Sequence, residues 1–301
     1  MKQKAQIKNI LVIRSDRFGE FLLNLPALRA LKEAYPKARL VLAVSPVVYD
    51  LAVMLEYVDE AVIWDEVKKN LRKYNFDLCV VLNPSKEAHL KCFLAAISVR
   101  VGYDRKWGFL LTKKIKDTKY LGNRHEVECN LELVGLADAH TQDKSISLRV
   151  SESFFPEFIG KKIIAIHPFT SDPVKQWPLD KFQELAGRIK DELKADVVLV
   201  GLSLNTLNMG GNVIDMTNKT NLPELAALLK RCSLLVSSDS GPVHLAAAVG
   251  TPVIALFRND LPGKTARRWG PWGKGHIVIE KSNLNNIGVN EVFNKVKEVI
   301  S

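Results

Sequence analysis

The sequence predicts an α/β protein made of two halves, each with a parallel sheet. Three observations carry this. Short apolar runs, without the polar alternation of a half-exposed strand, are bounded by turn residues. Strands of that kind are buried between helix layers. Segments with apolar residues at helical spacing lie between them, and strand–helix–strand order calls for parallel pairing. The same grammar then starts again past residue 160.

In the first half, strands are expected at Ile10–Arg14, Arg39–Val44, Ala61–Ile63 and Asp77–Leu82. Between the first two, Glu20–Tyr35 places Leu22, Leu25, Leu28 and Leu31 at helical spacing, and Pro26 marks a late start or a kink. In the second half, Ile163–His167 reads as a strand. Pro178 opens a helix with Phe182, Leu185, Ala186, Ile189 and Leu193 on one stripe. Asp196–Gly201 is the next strand, and Pro223 opens a helix ending near Arg231. Leu234–Ser237 is a strand, Pro242–Val249 a short helix and Pro252–Phe257 a strand. Val289, Val292, Val296 and Ile300 predict a final helix. Residues 151–156 have no regular period and read as the linker, dividing the chain into domains 1–155 and 156–301. Ligands of such sheets lie beyond the carboxyl ends of the strands. The default site is therefore a cleft between the domains.

Composition narrows the class. The chain has 301 residues, 47% hydrophobic and 25% charged, which suits about two globular domains and excludes wholesale disorder. Cys79, Cys92, Cys129 and Cys232 form no Cys-x-x-Cys pair. A zinc knuckle, a dithiol motif and a disulfide-stapled mini-protein are excluded, and a reducing cytoplasm is expected. The apolar run at 10–13 is too short for a leader core, and no stretch reaches the length of a membrane span. The six histidines are scattered without a His-x-x-x-His pair, so no metal centre is expected. Gly-x-Ser-x-Gly is absent, which argues against a serine hydrolase. A net charge of +10 draws polyanions: nucleic acid, anionic lipid or phosphorylated substrates.

Four segments carry candidate chemistry. The first runs from Arg14 to Glu20, directly after a strand, with Arg17 and Gly19 inside it. Glu20 is either a general base or only a complement to the helix N-terminus. The segment lacks the P-loop and dinucleotide glycine spacings. The second, His167–Pro178, offers Thr170, Ser171 and Lys175 as a phosphate grip, or is an ordinary loop. In the third, Ser237–Ala248, amides at Ser240 and Gly241 open a helix suited to an anion. Asp239 is either part of that turn or only an N-cap, and His244 a ligand or a core histidine. The fourth joins basic and aromatic residues. Arg100, Arg105, Lys106, Lys113, Lys114 and Lys116 surround Tyr103 and Trp107, and Arg267-Arg268-Trp269 follows later. It is a polyanion surface or a solvated face, without a nucleic-acid-binding signature.

These segments together resemble the bacterial ADP-heptose:lipopolysaccharide heptosyltransferases, glycosyltransferase family 9. The likeness lies in ILVIRSDRFGEFLLNLPALRAL at 10–31, RVGYDRKWGFLLTKKI at 100–115 and the His125–Glu128 stretch after it. It continues in AIHPFTSDPVKQWPLDKFQELA at 165–186, VSSDSGPVHLAAAVGTPVIALF at 236–257 and Arg268–Gly273. The resemblance implies the glycosyltransferase B fold: two Rossmann-like domains across a cleft, the first binding acceptor and the second the nucleotide sugar. The last helix is then expected to pack back on the first domain. It further implies inverting, metal-independent transfer of heptose from ADP-heptose to a lipopolysaccharide inner-core acceptor, with no cofactor. Glu20 occupies the catalytic carboxylate site, usually aspartate, and reaches one methylene further. Thr170, Ser171, Lys175, Asp239, Ser240, Gly241 and His244 fall on the donor side, with Lys175 also catalytic. Arg14, Arg17, Gly19 and Arg105 fall on the acceptor side. The partners implied are a nucleotide sugar and an anionic glycolipid at the cytoplasmic face of the inner membrane, not nucleic acid. The alternatives are a same-fold transferase using another nucleotide sugar and a non-catalytic relative that binds one.

Overall fold

The protein is represented by a computed structural model that describes residues 7–151, 153–204, 207, 209–210 and 213–300. Residues 1–6, which open the polar amino-terminal segment, and Glu152 of the expected linker lie outside them. The chain divides into two compact units, Met1–Ile146 and Ser147–Ser301, with the boundary ahead of the stretch read as the linker.

In the first unit the strands are β1 Asn9–Arg14, β2 Arg39–Val44, β3 Glu60–Ile63, β4 Leu78–Val81, β5 Val99–Tyr103 and β6 Lys113–Ile115. The helices are α1 Phe18–Leu22, α2 Leu25–Ala34, α3 Tyr49–Val53, α4 Trp64–Val67, α5 Lys86–Leu94 and α6 Glu126–Gly135. The second unit has β7 Ile163–His167, β8 Asp196–Leu199, β9 Ile214–Asp215, β10 Leu234–Ser238, β11 Val253–Arg258 and β12 Ile277–Lys281. Its helices are α7 Leu179–Leu193, α8 Leu222–Arg231, α9 Gly241–Ala248, α10 Ala266–Trp269 and α11 Val289–Ile300.

Among the described residues each unit holds one six-stranded sheet, ordered β3-β2-β1-β4-β5-β6 and β12-β11-β10-β7-β8-β9, and every pairing is parallel. Counted from its own first strand, each sheet has the Rossmann order 3-2-1-4-5-6. Ile10, Leu11 and Val12 are successive residues of β1 and all are 0% exposed. Both faces of the strand are therefore covered by helices, which is why the sequence reads as continuous rather than alternating apolar.

Two groups of elements depart from expectation. The helix expected over Glu20–Tyr35 is two, α1 and α2, separated at Leu23 and Asn24. Pro26 sits in the first turn of α2, where its missing N–H costs nothing. The Asn24 side chain donates to the carbonyls of Glu20 (2.6 Å) and Phe21 (3.1 Å), closing α1 from behind. The strands β5, β6, β9 and β12 lie where no strand is expected, because Arg100, the lysines of β6 and Glu280 break their apolar runs and β9 is only two residues long. The final helix forms where the spacing predicts it: α11 buries Val289, Val292, Phe293 and Val296 in a core with Phe182, Leu185 and Ile189 of α7.

Candidate active site

In each sheet the chain reverses direction around its first strand, and ligands of such folds bind at the carboxyl end of that switch point. The two switch points lie between β1 and β4 and between β7 and β10. All the sequence-derived site residues except Arg105 lie just beyond the ends of β1, β7 and β10 or in the first turns that follow.

At the first switch point, β1 ends in Arg14, whose side chain is 3% exposed. Its Nε lies 2.6 Å from Asp16, its Nη2 3.5 Å from Glu20 and its Nη1 3.8 Å from Glu126. Glu126 is buried at the start of α6 and also receives the ammonium of Lys119 at 2.9 Å. Burial works against the Arg14 charge, but Asp16, Glu126 and Glu20 outweigh it and hold its pKa above the ordinary value. Glu20 stands in the first turn of α1. Burial, then hydrogen bonding to Asp16 and the like charge of Asp16, push its pKa up to about 7, while Arg14 and Arg17 pull the other way. Glu20 is thus a carboxyl poised at neutral pH, the condition for an effective general base. Arg17 is exposed and Gly19 is buried within α1. Arg105 is exposed and pairs with Asp117 at 3.1 Å. Arg14, expected on the acceptor side, is enclosed by the three carboxylates.

At the second switch point, the loop after β7 is pinned at both ends. His167 is buried, with Nδ1 3.0 Å from the Ser237 hydroxyl and 3.2 Å from that of Ser240. Burial lowers its pKa to about 4, so the ring is neutral at pH 7. At the far end, the fully buried Trp177 donates its backbone N–H to the Ser238 hydroxyl (3.2 Å) and its indole N–H to the Ile287 carbonyl (3.1 Å). This bond registers the loop against β10 and brings Lys175 into ion-pair contact with Asp239. Thr170 turns inside the loop and accepts from the Asp172 N–H at 3.2 Å, and Ser171 is exposed. Ser240 is the N-cap residue of α9, but its hydroxyl engages Ser237 (2.8 Å) and His167 rather than capping the helix. The first turn of α9, from Gly241, therefore has no side-chain cap. Asp239 does not occupy the N-cap position, which is that of Ser240, and it pairs with Lys175. His244 is buried within α9. Gly201 ends the neighbouring crossover at φ +127°, and a Cβ there would lie 2.6 Å from the His167 ring.

The sequence reading passed over Asp16, Glu126, Lys119 and the bonding of His167 to Ser237. For Asp16 a signal existed: an acid two residues past a strand-end arginine. Lys119 and Glu126 meet Arg14 only through the fold. Among the described residues no group of three or more His, Cys, Asp and Glu side chains could hold a metal ion, and the four cysteines are buried and in no disulfide.

The arrangement is that of a glycosyltransferase of the B fold. The solved glycosyltransferase family 9 protein of Veillonella parvula superimposes with a TM-score of 0.85 over 97% of each chain at 19% identity. The Escherichia coli ADP-heptose lps heptosyltransferase II does so at 0.82, over 97% of this chain and 98% of that one, at 22% identity. The glycosyltransferase family 9 (heptosyltransferase) model matches residues 64–296, and the chain belongs to that family. Lipopolysaccharide heptosyltransferase 3 of Escherichia coli K12 is 25% identical over 322 aligned positions, covering 94% of this chain and 91% of the relative.

Proposed function

We propose that this glycosyltransferase moves a heptose from ADP-heptose to the inner core of lipopolysaccharide, inverting the anomeric centre and binding its donor without a metal. The observation that carries the reading is Glu20, a carboxyl with a pKa of about 7 in the first turn of α1, beside the buried Arg14 that ends β1. The names of the relatives support the substrate class: a lipopolysaccharide heptosyltransferase by sequence, and solved heptosyltransferases with ADP and with an ADP-fluoroheptose by fold.

In this mechanism the first unit binds acceptor and the second binds donor. Glu20 takes the proton of an acceptor hydroxyl as that oxygen bonds to the anomeric carbon. The bond from that carbon to the diphosphate oxygen breaks on the opposite face, and ADP leaves. Lys175, the hydroxyls of Thr170 and Ser171, and the amides at Ser240 and Gly241 meet the charge growing on the diphosphate. Asp239 holds the Lys175 ammonium until the donor arrives, and His244 supports the helix that presents the amides. Arg17 and Arg105, both exposed, supply cationic groups for an acidic acceptor, and Gly19 keeps the backbone thin beside it. Arg14 acts through Glu20.

The enzyme works at the cytoplasmic face of the inner membrane. Among the described residues no helix is long and apolar enough to cross a membrane. Exposed Trp107 and Phe109 lie among the basic residues of 100–116, a composition suited to an anionic lipid surface. Calorimetry with ADP, UDP and GDP tests the donor: ADP binds tightest, and equal affinities overturn the assignment. Transfer from ADP-heptose to heptose-free lipopolysaccharide tests the reaction, and its absence with a folded enzyme overturns it. Vesicle sedimentation at low salt tests the surface, with stronger binding to anionic than to neutral vesicles expected.

A further inference from the structure

We propose that Asp16 is a positioning residue for the base: it keeps the Arg14 guanidinium to itself, so that Glu20 stays weakly paired and able to accept a proton. The inference rests on the reading of Glu20 as the base.

The contacts of Arg14 are unequal. Asp16 sits 2.6 Å from Nε, whereas Glu20 and Glu126 sit at 3.5 and 3.8 Å. Ion-pair attraction falls with distance, so Asp16 is the main partner. Glu126 has a cation of its own in Lys119 at 2.9 Å. Three carboxylates therefore share two buried or nearly buried cations, and Glu20 is the least well served. The groups around Glu20 are Asp16 and Arg17 from its own turn, Arg14 from β1 and, behind Arg14, Glu126, Lys119 and Tyr103. Removing the charge of Asp16 leaves Glu20 as the nearest carboxylate to Arg14, its other cation being the exposed Arg17. Its ionised form is then stabilised by attraction and freed of a like-charged neighbour. Such a carboxylate is a weaker base toward an alcohol. The strand end thus holds an acid whose task is to occupy the arginine.

The test uses the full chain with 13C-labelled glutamate, the Glu20 carboxyl resonance being assigned by its loss in Glu20→Gln. The wild-type resonance titrates near pH 7. In Asp16→Asn and in Asp16→Ser the midpoint moves down by tenfold or more in proton affinity, and Asp16→Glu restores it. The acid limb of the pH–rate profile for ADP release, with ADP-heptose and heptose-free lipopolysaccharide, moves the same way. An unmoved midpoint in both folded variants overturns the proposal, because a merely structural Asp16 would lower stability without changing proton affinity. Full turnover by Glu20→Gln overturns the reading of Glu20 as base instead. The carboxyl titration then still reports whether Asp16 controls Arg14.

Discussion

The switch points at β1/β4 and β7/β10 have the same backbone frame and different electrostatics. At the first, Asp16, Glu20 and Glu126 outnumber the buried Arg14 and Lys119, and the excess acid is left with a raised proton affinity. At the second, a neutral His167 and three serine hydroxyls build the turn, and Lys175 is paired with Asp239. One end suits taking up a proton and the other suits receiving a negative group. The difference teaches that the Rossmann frame fixes where chemistry sits, while the residues in the two or three positions after each strand decide which chemistry it is.

Breaking the first end has the largest expected effect. Glu20→Gln lowers turnover by about 10²–10⁴-fold, the usual contribution of a general base, and leaves ADP affinity unchanged. Steady-state kinetics beside calorimetry checks this, and wild-type turnover in the variant would sink the assignment. In the wild type, activity rises with pH through about 7 as Glu20 ionises.

Breaking the second end comes next. Lys175→Ala costs about 2–4 kcal/mol of transition-state stabilisation, by analogy with the loss of one oxyanion donor. The loss falls mainly on kcat if Lys175 meets the departing diphosphate, and mainly on KM if it only holds the ground state.

A smaller effect tests the neutral turn. His167 has a folded pKa near 4 against an ordinary 6.5. The unfolded chain therefore takes up its proton first as pH falls. The contribution of a neutral His167 to stability is complete above 6.5 and is lost as pH falls through about 4. His167→Ala leaves the Ser237 and Ser240 hydroxyls short of a partner, costs about 1–3 kcal/mol, and removes that part of the pH dependence. Chemical unfolding at pH 7 and pH 5 separates the two.

The smallest effect is on a surface pair. Arg105→Ala removes the exposed guanidinium that pairs with Asp117, whose side chain is only 8% exposed, a change worth about 1 kcal/mol. It leaves the melting temperature nearly unchanged and raises KM for an anionic acceptor. An unchanged KM would remove Arg105 from the acceptor side.

Much of this comparison was legible in the sequence. Buried parallel strands announce themselves by unbroken apolar runs, so the inner strands β1, β2, β4, β7, β8, β10 and β11 could be placed. The candidate segments at 14–20, 167–178 and 237–248 stand out because each begins at the end of one of those strands. The edge strand β3 could be placed too, but β6 and β12 could not, since they carry lysines and a glutamate that a half-covered position tolerates, and the inner β5 was hidden by Arg100. The split between α1 and α2 was half visible in Pro26. The set around Arg14 was hidden for a different reason. Glu126 and Lys119 belong to the start of α6 and the turn before it, and only the fold carries them to the end of β1. Asp16 was in plain view, but an acid in a loop reads as solvent-facing until its arginine is known to be buried.

The break at Asn24 has a mechanical consequence. Glu20 rides on a helix of five residues, about one and a half turns, too short to be stiff by itself. Its rigidity is borrowed from the amide of a buried asparagine that grips the Glu20 carbonyl at 2.6 Å. The same asparagine is the N-cap residue of α2, its carbonyl accepting from the Leu28 N–H, so any shift of the longer helix is passed straight to the turn that carries Glu20.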